Sequence, residues 1–212
     1  MPSEAFNKLS EEKKQRILAA AIEEFSTHPL MKATSTNVIR NSGISRGSFY
    51  QYFDNIQSVY HYTINQLWKK YRQDLIASLK RHDHDLYQGL VDFSEFYLND
   101  LISLNYMNIV KNLVSHLTYL IHEENDARQS EKDLFGLFDT GVAVEENSIF
   151  EVIDLDSYAF HDKYEALEFI HYTIALLHEV ILYGFLQKLS QEEIINLYCQ
   201  RLNWLFKGIS RS

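Results

Sequence analysis

The chain has 212 residues, 46% of them hydrophobic and 14% aromatic, which excludes a disordered segment and is enough for one or two domains with sizeable cores. Its 7 glycines and 2 prolines are about a third of ordinary usage, too few for the turns of sandwiches and barrels, so the expected class is all-α. The net charge of −9 is uneven: residues 1–60 carry 7 Lys and Arg against 6 Asp and Glu, residues 61–212 carry 13 against 23, so a near-neutral head precedes an acidic body.

The first fifteen residues, MPSEAFNKLSEEKKQ, contain no apolar h-region. Ser10, with Glu11 and Glu12 behind it, predicts a helix start; Ile17, Leu18, Ala21, Ile22 and Phe25 follow at helical spacing until His28 and Pro29 stop the run near Thr27. Thr34 caps a short helix over about 35–41 with Val38 and Ile39 turned inward. Ser42, Gly43 and Ile44 make a turn, Ser45 caps a second short helix through 53, and Asn55 is the next cap. From Ile56 a helix of about seven turns runs through Val59, Ile64, Leu67, Trp68, Tyr71, Leu75 and Leu79 to the polar RHDHD at 81–85. Helical periods return at about 86–104 and 106–124, whereas 125–160 keeps no period and receives no element. The last two helices are predicted at 162–189 and 191–208, with Ser190 and Glu193 as a capping box for the second. His178 and Glu179 cut the apolar run 173–186, so no membrane span or membrane partner is expected, and the single Cys199 rules out an intramolecular disulfide. The expected location is cytoplasmic.

Residues 34–53, a short helix, a glycine turn and a second short helix, have the spacing of a helix-turn-helix. Val38, Ile39, Ile44, Phe49 and Phe53 would close on Ile17, Ala21 and Phe25 as a three-helix head. The second short helix then keeps Arg46, Ser48, Tyr50, Gln51 and Tyr52 as hydrogen-bonding types, and Gly47 omits a side chain where close backbone approach to DNA would help. On spacing alone, an αα-corner inside a helical domain fits the same pattern.

RILAAAIEEF at 16–25 and ATSTNVIRNSGISRGSFYQYFDN at 33–55, with nine residues from Phe25 to Thr34, resemble the amino-terminal domain of the TetR family of bacterial transcriptional regulators. The resemblance implies a helix-turn-helix DNA-binding head over 1–55 and a helical effector-binding and dimerisation domain over 56–212. It implies a homodimer, usually a repressor, that leaves a pseudo-palindromic operator in double-stranded DNA when a small molecule binds. It puts Thr36, Arg46, Ser48 and Gln51 at positions that reach bases, and Ser35, Tyr50 and Tyr52 at positions that hold phosphates. Two departures stand out. Pro29 and Leu30 replace the family's glycine and aromatic, a loop change expected to be harmless. Ile56 replaces a lysine that meets a phosphate, so the salt dependence of DNA binding should be weaker by about one unit of slope.

The resemblance ends near residue 60, and the body is read from its own residues. It holds no GxSxG, GxGxxG or P-loop, and the strings at His178 and His122 fail the HExxH pattern, so neither an enzyme nor a cofactor is expected. Glu168, His171 and His178 share one face of the helix at 162–189; two histidines seven apart fall short of a ligand pattern even with His116, so no metal is expected. Aromatics at Phe93, Phe96, Tyr97, Tyr106, Tyr119, Phe135, Phe138, Phe150, Tyr158 and Phe160 suit a pocket for a small apolar or cationic effector. Its candidate residues are Phe96, His116, Tyr119, Glu168, His171 and His178, although a plain aromatic core with satisfied histidines fits equally well. Cys199 is expected to be an inert thiol. A second apolar stripe, Phe169, Leu176, Val180 and Tyr183, exceeds what one core covers and predicts a homodimer through 162–189 and 191–208. The rival reading is a helical scaffold or partner-binding protein of the same fold with weak or no DNA binding, which the acidic balance and Ile56 mildly favour.

Overall fold

The structure, a computed structural model, describes residues 2–103, 108, 109, 112, 152, 153 and 157–209. Most of the helix expected at 106–124 and most of 125–160 lie outside these residues. Among the described residues there are eight α-helices: α1 (Glu4–Asn7), α2 (Glu11–Thr27), α3 (Ser35–Ser42), α4 (Arg46–Tyr52), α5 (Ile56–Arg81), α6 (Leu86–Ser103), α7 (Lys163–Gln187) and α8 (Gln191–Ile209). A single 3₁₀ turn, Leu30–Lys32, follows Pro29. They form two compact units; the first holds 2–69 with 101–103, 108, 109 and 112, the second 70–100 with 152, 153 and 157–209.

In the first unit the predicted caps are in place. Ser10 accepts from the Lys13 amide, Thr34 from Asn37, Ser45 from Ser48 and Asn55 from Ser58, so each helix start has one orphan donor satisfied. Gly43 closes α3 with φ 68°, a left-handed conformation that costs any other residue about 1 kcal/mol or more. The core is the predicted one, Ile17, Ala21, Phe25, Val38, Ile44, Phe49 and Phe53 all buried with Ile39 partly so, and it also takes Val59, Tyr60 and Ile64 from α5 and Ile109. Leu30 is buried in it as well. The short helix α1 was not among the expected elements. It exists because Ser3 caps it and Phe6, almost fully buried, sits within 4.9–6.1 Å of the rings of Tyr52, Phe53 and Tyr62.

The second unit packs the later half of α5 with α6, α7 and α8. Ser190 and Glu193 form the expected reciprocal box at the start of α8. At Gly184 of α7 a Cβ would lie 2.7 Å from Ile194 Cδ1 of α8, so alanine there would require the Ile194 side chain to shift. Helix α7 is long and apolar enough to cross a membrane by length and composition alone. It starts on the Asp162 cap and buries Ala166, Leu167, Ile170, Leu177, Val180 and Ile181 within the unit. Val180 of the predicted second stripe therefore belongs to the chain's own core, and Phe169 packs on Phe160 and Phe206. The large apolar groups left exposed in this unit are Phe96 on α6, Tyr164, Tyr172, Tyr183 and Leu186 on α7, and Trp204 on α8. The α5–α6 connector places Asp83 and His84 at positive φ and is tied down by His84 Nδ1 on the Val152 carbonyl, 2.8 Å.

Burial holds His178 well below an ordinary histidine, at about 4, while its Nε2 meets the Tyr97 hydroxyl at 2.8 Å. The unfolded chain binds that proton more readily, so stability is full above about pH 6.5 and falls as pH drops toward 4. Between pH 7 and pH 4.5 this one group should cost about 2 to 3 kcal/mol. Urea midpoints across that range should show the loss in the wild type and a flattened profile in His178→Gln.

Candidate nucleic-acid interface

The interface starts from α3 and α4, two short helices whose apolar sides are consumed by the core. On α4, Phe49 is fully buried, which turns Arg46, Gly47, Tyr50 and Gln51 outward and leaves Ser48 partly exposed. Ser45 accepts from the Ser48 amide at 3.0 Å and its hydroxyl lies 2.9 Å from that of Ser48, so the N-terminal turn is preorganised. The guanidinium of Arg46 lies 5.9 Å from the Tyr50 ring centroid, a contact that orders a long side chain without sequestering its donors. Thr36 is exposed and Ser35 partly exposed at the start of α3. Of the eight candidates only Tyr52 turns inward: it is 6% exposed, its ring lies against Phe6, and its hydroxyl accepts from Lys13 Nζ at 3.2 Å.

The glycine at 47 has no packing reason within the chain, since a Cβ there would meet only Ser45 Oγ, at 3.9 Å. Gly47→Ala should therefore raise or preserve the unfolding midpoint, alanine being the better helix former by up to about 1 kcal/mol, while DNA affinity falls because a methyl group intrudes on the exposed face. Affinity and melting measured on the same preparation separate the two effects.

Two groups that hold this surface carried no sequence signal. Glu24, on α2, is 3% exposed and its carboxylate accepts from the Thr34 amide at 2.7 Å and Asn37 Nδ2 at 2.9 Å, with His28 Nδ1 at 3.5 Å; it fastens the start of α3 to α2. Ser3 donates its amide to the Tyr52 carbonyl at 3.0 Å and its hydroxyl to the Gln51 carbonyl at 2.7 Å, at the C-terminal end of α4. An acid on a helix margin and a serine before a four-residue helix are ordinary until the fold brings their partners close.

Of the candidate effector residues, Phe96, Glu168, His171 and His178 lie among the described residues. His178 bonds Tyr97, which is buried, has its hydroxyl pKa raised by that burial, and stacks on Phe93 at 5.5 Å. His171 is partly buried, Glu168 is exposed, and the exposed ring of Phe96 lies 5.4 Å from Lys70 Nζ, which bonds Asp100 at 2.6 Å. His116 and Tyr119 lie outside the described residues. Cys199 is half-buried, and burial raises its thiol pKa, as for an unreactive thiol.

Comparison with known proteins agrees with this geometry. The fold is shared with a TetR-family transcriptional regulator from Mesorhizobium loti (12% identity, 94% of this chain and 98% of that one, TM-score 0.65). It is shared too with the fatty acid degradation regulator FadR from Bacillus halodurans (14%, 92% and 96%, 0.61). A third is SmeT, the repressor of the Stenotrophomonas maltophilia multidrug efflux pump SmeDEF (15%, 98% and 93%, 0.57). No curated protein matches the sequence. Residues 17–63 match the model of bacterial regulatory proteins of the tetR family, and residues 85–209 match that of the tetracyclin repressor-like C-terminal domain. Because the second match alone spans more than half of the sequence and the first contains the exposed face of α4, the chain belongs to the TetR family and is a DNA-binding transcriptional regulator.

Proposed function

We propose that the protein is a dimeric repressor whose α4 lies in the major groove of a pseudo-palindromic operator and whose body releases it on binding a small apolar or cationic molecule. The observation that carries the reading is the outward polar face of α4 over a fully buried Phe49. In this reading Arg46, Ser48, Gln51 and Thr36 meet base edges. Ser35 and Tyr50 hold phosphates, Tyr52 does so together with Lys13, and Gly47 admits the backbone. The head is residues 1–55 and the effector and dimer domain is 56–212. The exposed Tyr172, Tyr183, Leu186 and Trp204 favour a two-fold four-helix seam from α7 and α8 of both copies, which would set two heads one helical turn, or a multiple of it, apart.

For the effector, His178, His171, Glu168 and Phe96, together with His116 and Tyr119, are the proposed contacts. An effector acts only through its differential affinity for the DNA-competent and released states, typically about 1 to 3 kcal/mol. A thermal-shift screen of lipophilic cations, acyl compounds and divalent metals, followed by a gel shift with each hit, tests the coupling. Ligands that stabilise the protein and weaken DNA binding support it. Ligands that stabilise it and leave DNA binding untouched contradict it.

A further inference from the structure

We infer that the arm before α2, residues 2–9, is a specificity element of the DNA-binding head: by fixing the C-terminal end of α4 it sets the angle at which Arg46, Ser48 and Gln51 meet the bases. This rests on α4 being the recognition helix. The arm lies outside both family matches, which begin at residues 17 and 85, yet its bonds are made to α4.

A seven-residue helix such as α4 holds itself poorly. Its last four carbonyls have no partner within the helix, and two turns bury only one strip of side chains. At its N-terminal end Ser45 satisfies the Ser48 amide. At its C-terminal end the Phe53 amide bonds the Phe49 carbonyl, and the carbonyls of Gln51 and Tyr52 are taken by Ser3. Ser3 is suited to the task because one hydroxyl does two jobs: it accepts from the Phe6 amide at 3.3 Å, capping α1, and donates to the Gln51 carbonyl at 2.7 Å. Phe6 then anchors α1 among Tyr52, Phe53 and Tyr62, with centroid distances of 6.1, 4.9 and 4.9 Å. From the other side Lys13 reaches the Tyr52 hydroxyl at 3.2 Å. The last turn of α4 is therefore gripped by residues 3, 6 and 13, while its exposed side chains stay free. A tilt at this end moves Gln51 directly and Arg46 by leverage, and bidentate base contacts tolerate little misalignment. Ser3 and Phe6 thus act as positioning residues with no contact to DNA of their own.

The test uses the full chain and two probes: a duplex selected by the wild-type protein from a randomised pool, and a scrambled duplex of equal length. Ser3→Ala removes both hydroxyl bonds, to the Gln51 carbonyl and from the Phe6 amide, and leaves the backbone bond. It should lower affinity for the selected duplex by about two- to tenfold, the worth of one hydrogen bond, with the scrambled duplex unchanged and the melting midpoint lowered only by the lost α1 cap. Ser3→Thr should restore the affinity. In an Arg46→Ala background the Ser3→Ala effect should shrink below about twofold, because positioning matters only through the contacts positioned. Equal loss on both duplexes, additivity in the double-mutant cycle, or no loss at all overturns the inference. If Arg46→Ala by itself leaves the ratio of selected to scrambled affinity unchanged, the reading of α4 has failed instead.

Discussion

Arg46→Ala is expected to cost about 1 to 3 kcal/mol on the preferred operator and far less on random duplex, collapsing the preference by roughly tenfold or more. The guanidinium is exposed at the first position of α4, its backbone direction is set by the Ser45 cap, and the Tyr50 ring beside it limits its rotamers. A bidentate fork aimed in this way discriminates guanine from the other bases because only guanine offers two acceptors on its major-groove edge. Tyr50→Phe makes the informative contrast. Loss of a hydroxyl that holds a phosphate should weaken operator and random duplex alike, leaving the preference intact. Competition binding against random DNA reads both variants, and an operator preference that survives Arg46→Ala would contradict the placement of α4.

Glu24→Ala should destabilise the head by about 3 kcal/mol or more by urea unfolding. It strands the Thr34 amide and the Asn37 side chain that the buried carboxylate now accepts from, and it opens a cavity besides. Glu24→Gln keeps the volume but turns one acceptor into a donor facing Asn37, so it should lose roughly half as much. Both variants should reduce DNA binding through α3 and α4 losing their seat rather than through any lost contact. A destabilisation under about 1 kcal/mol for the alanine variant would mean that water replaces the carboxylate and that the start of α3 does not depend on it.

These two positions mark where sequence reading succeeds and where it stops. Arg46 was legible because its neighbours are local: Ser45 caps, Gly43 turns, Phe49 points inward, and each follows from spacing of three or four residues. The same locality explains why α7 and α8, predicted at 162–189 and 191–208, occupy Lys163–Gln187 and Gln191–Ile209. Glu24 carried no signal in the sequence because its partners, the Thr34 amide and the Asn37 side chain, come from the start of the next helix. Tyr52 looked like a surface phenol until Phe6 and Lys13 closed over it. Helix α1 has four residues, too few for any period, and owes its existence to an aromatic cluster assembled from residues some fifty positions away. In the body, the exposed Tyr172, Tyr183, Leu186 and Trp204 only partly follow the expected stripe, since Val180 is needed by the chain's own core.

The most direct test of the whole account is selection of DNA by the full-length chain from a randomised duplex pool, followed by footprinting on the enriched sequence. The account predicts enrichment of a pseudo-palindrome with half-sites one helical turn or a multiple of it apart, both protected, and loss of the enrichment in Arg46→Ala. A pool that stays random after repeated rounds, or an enriched sequence that Arg46→Ala selects equally well, would contradict it.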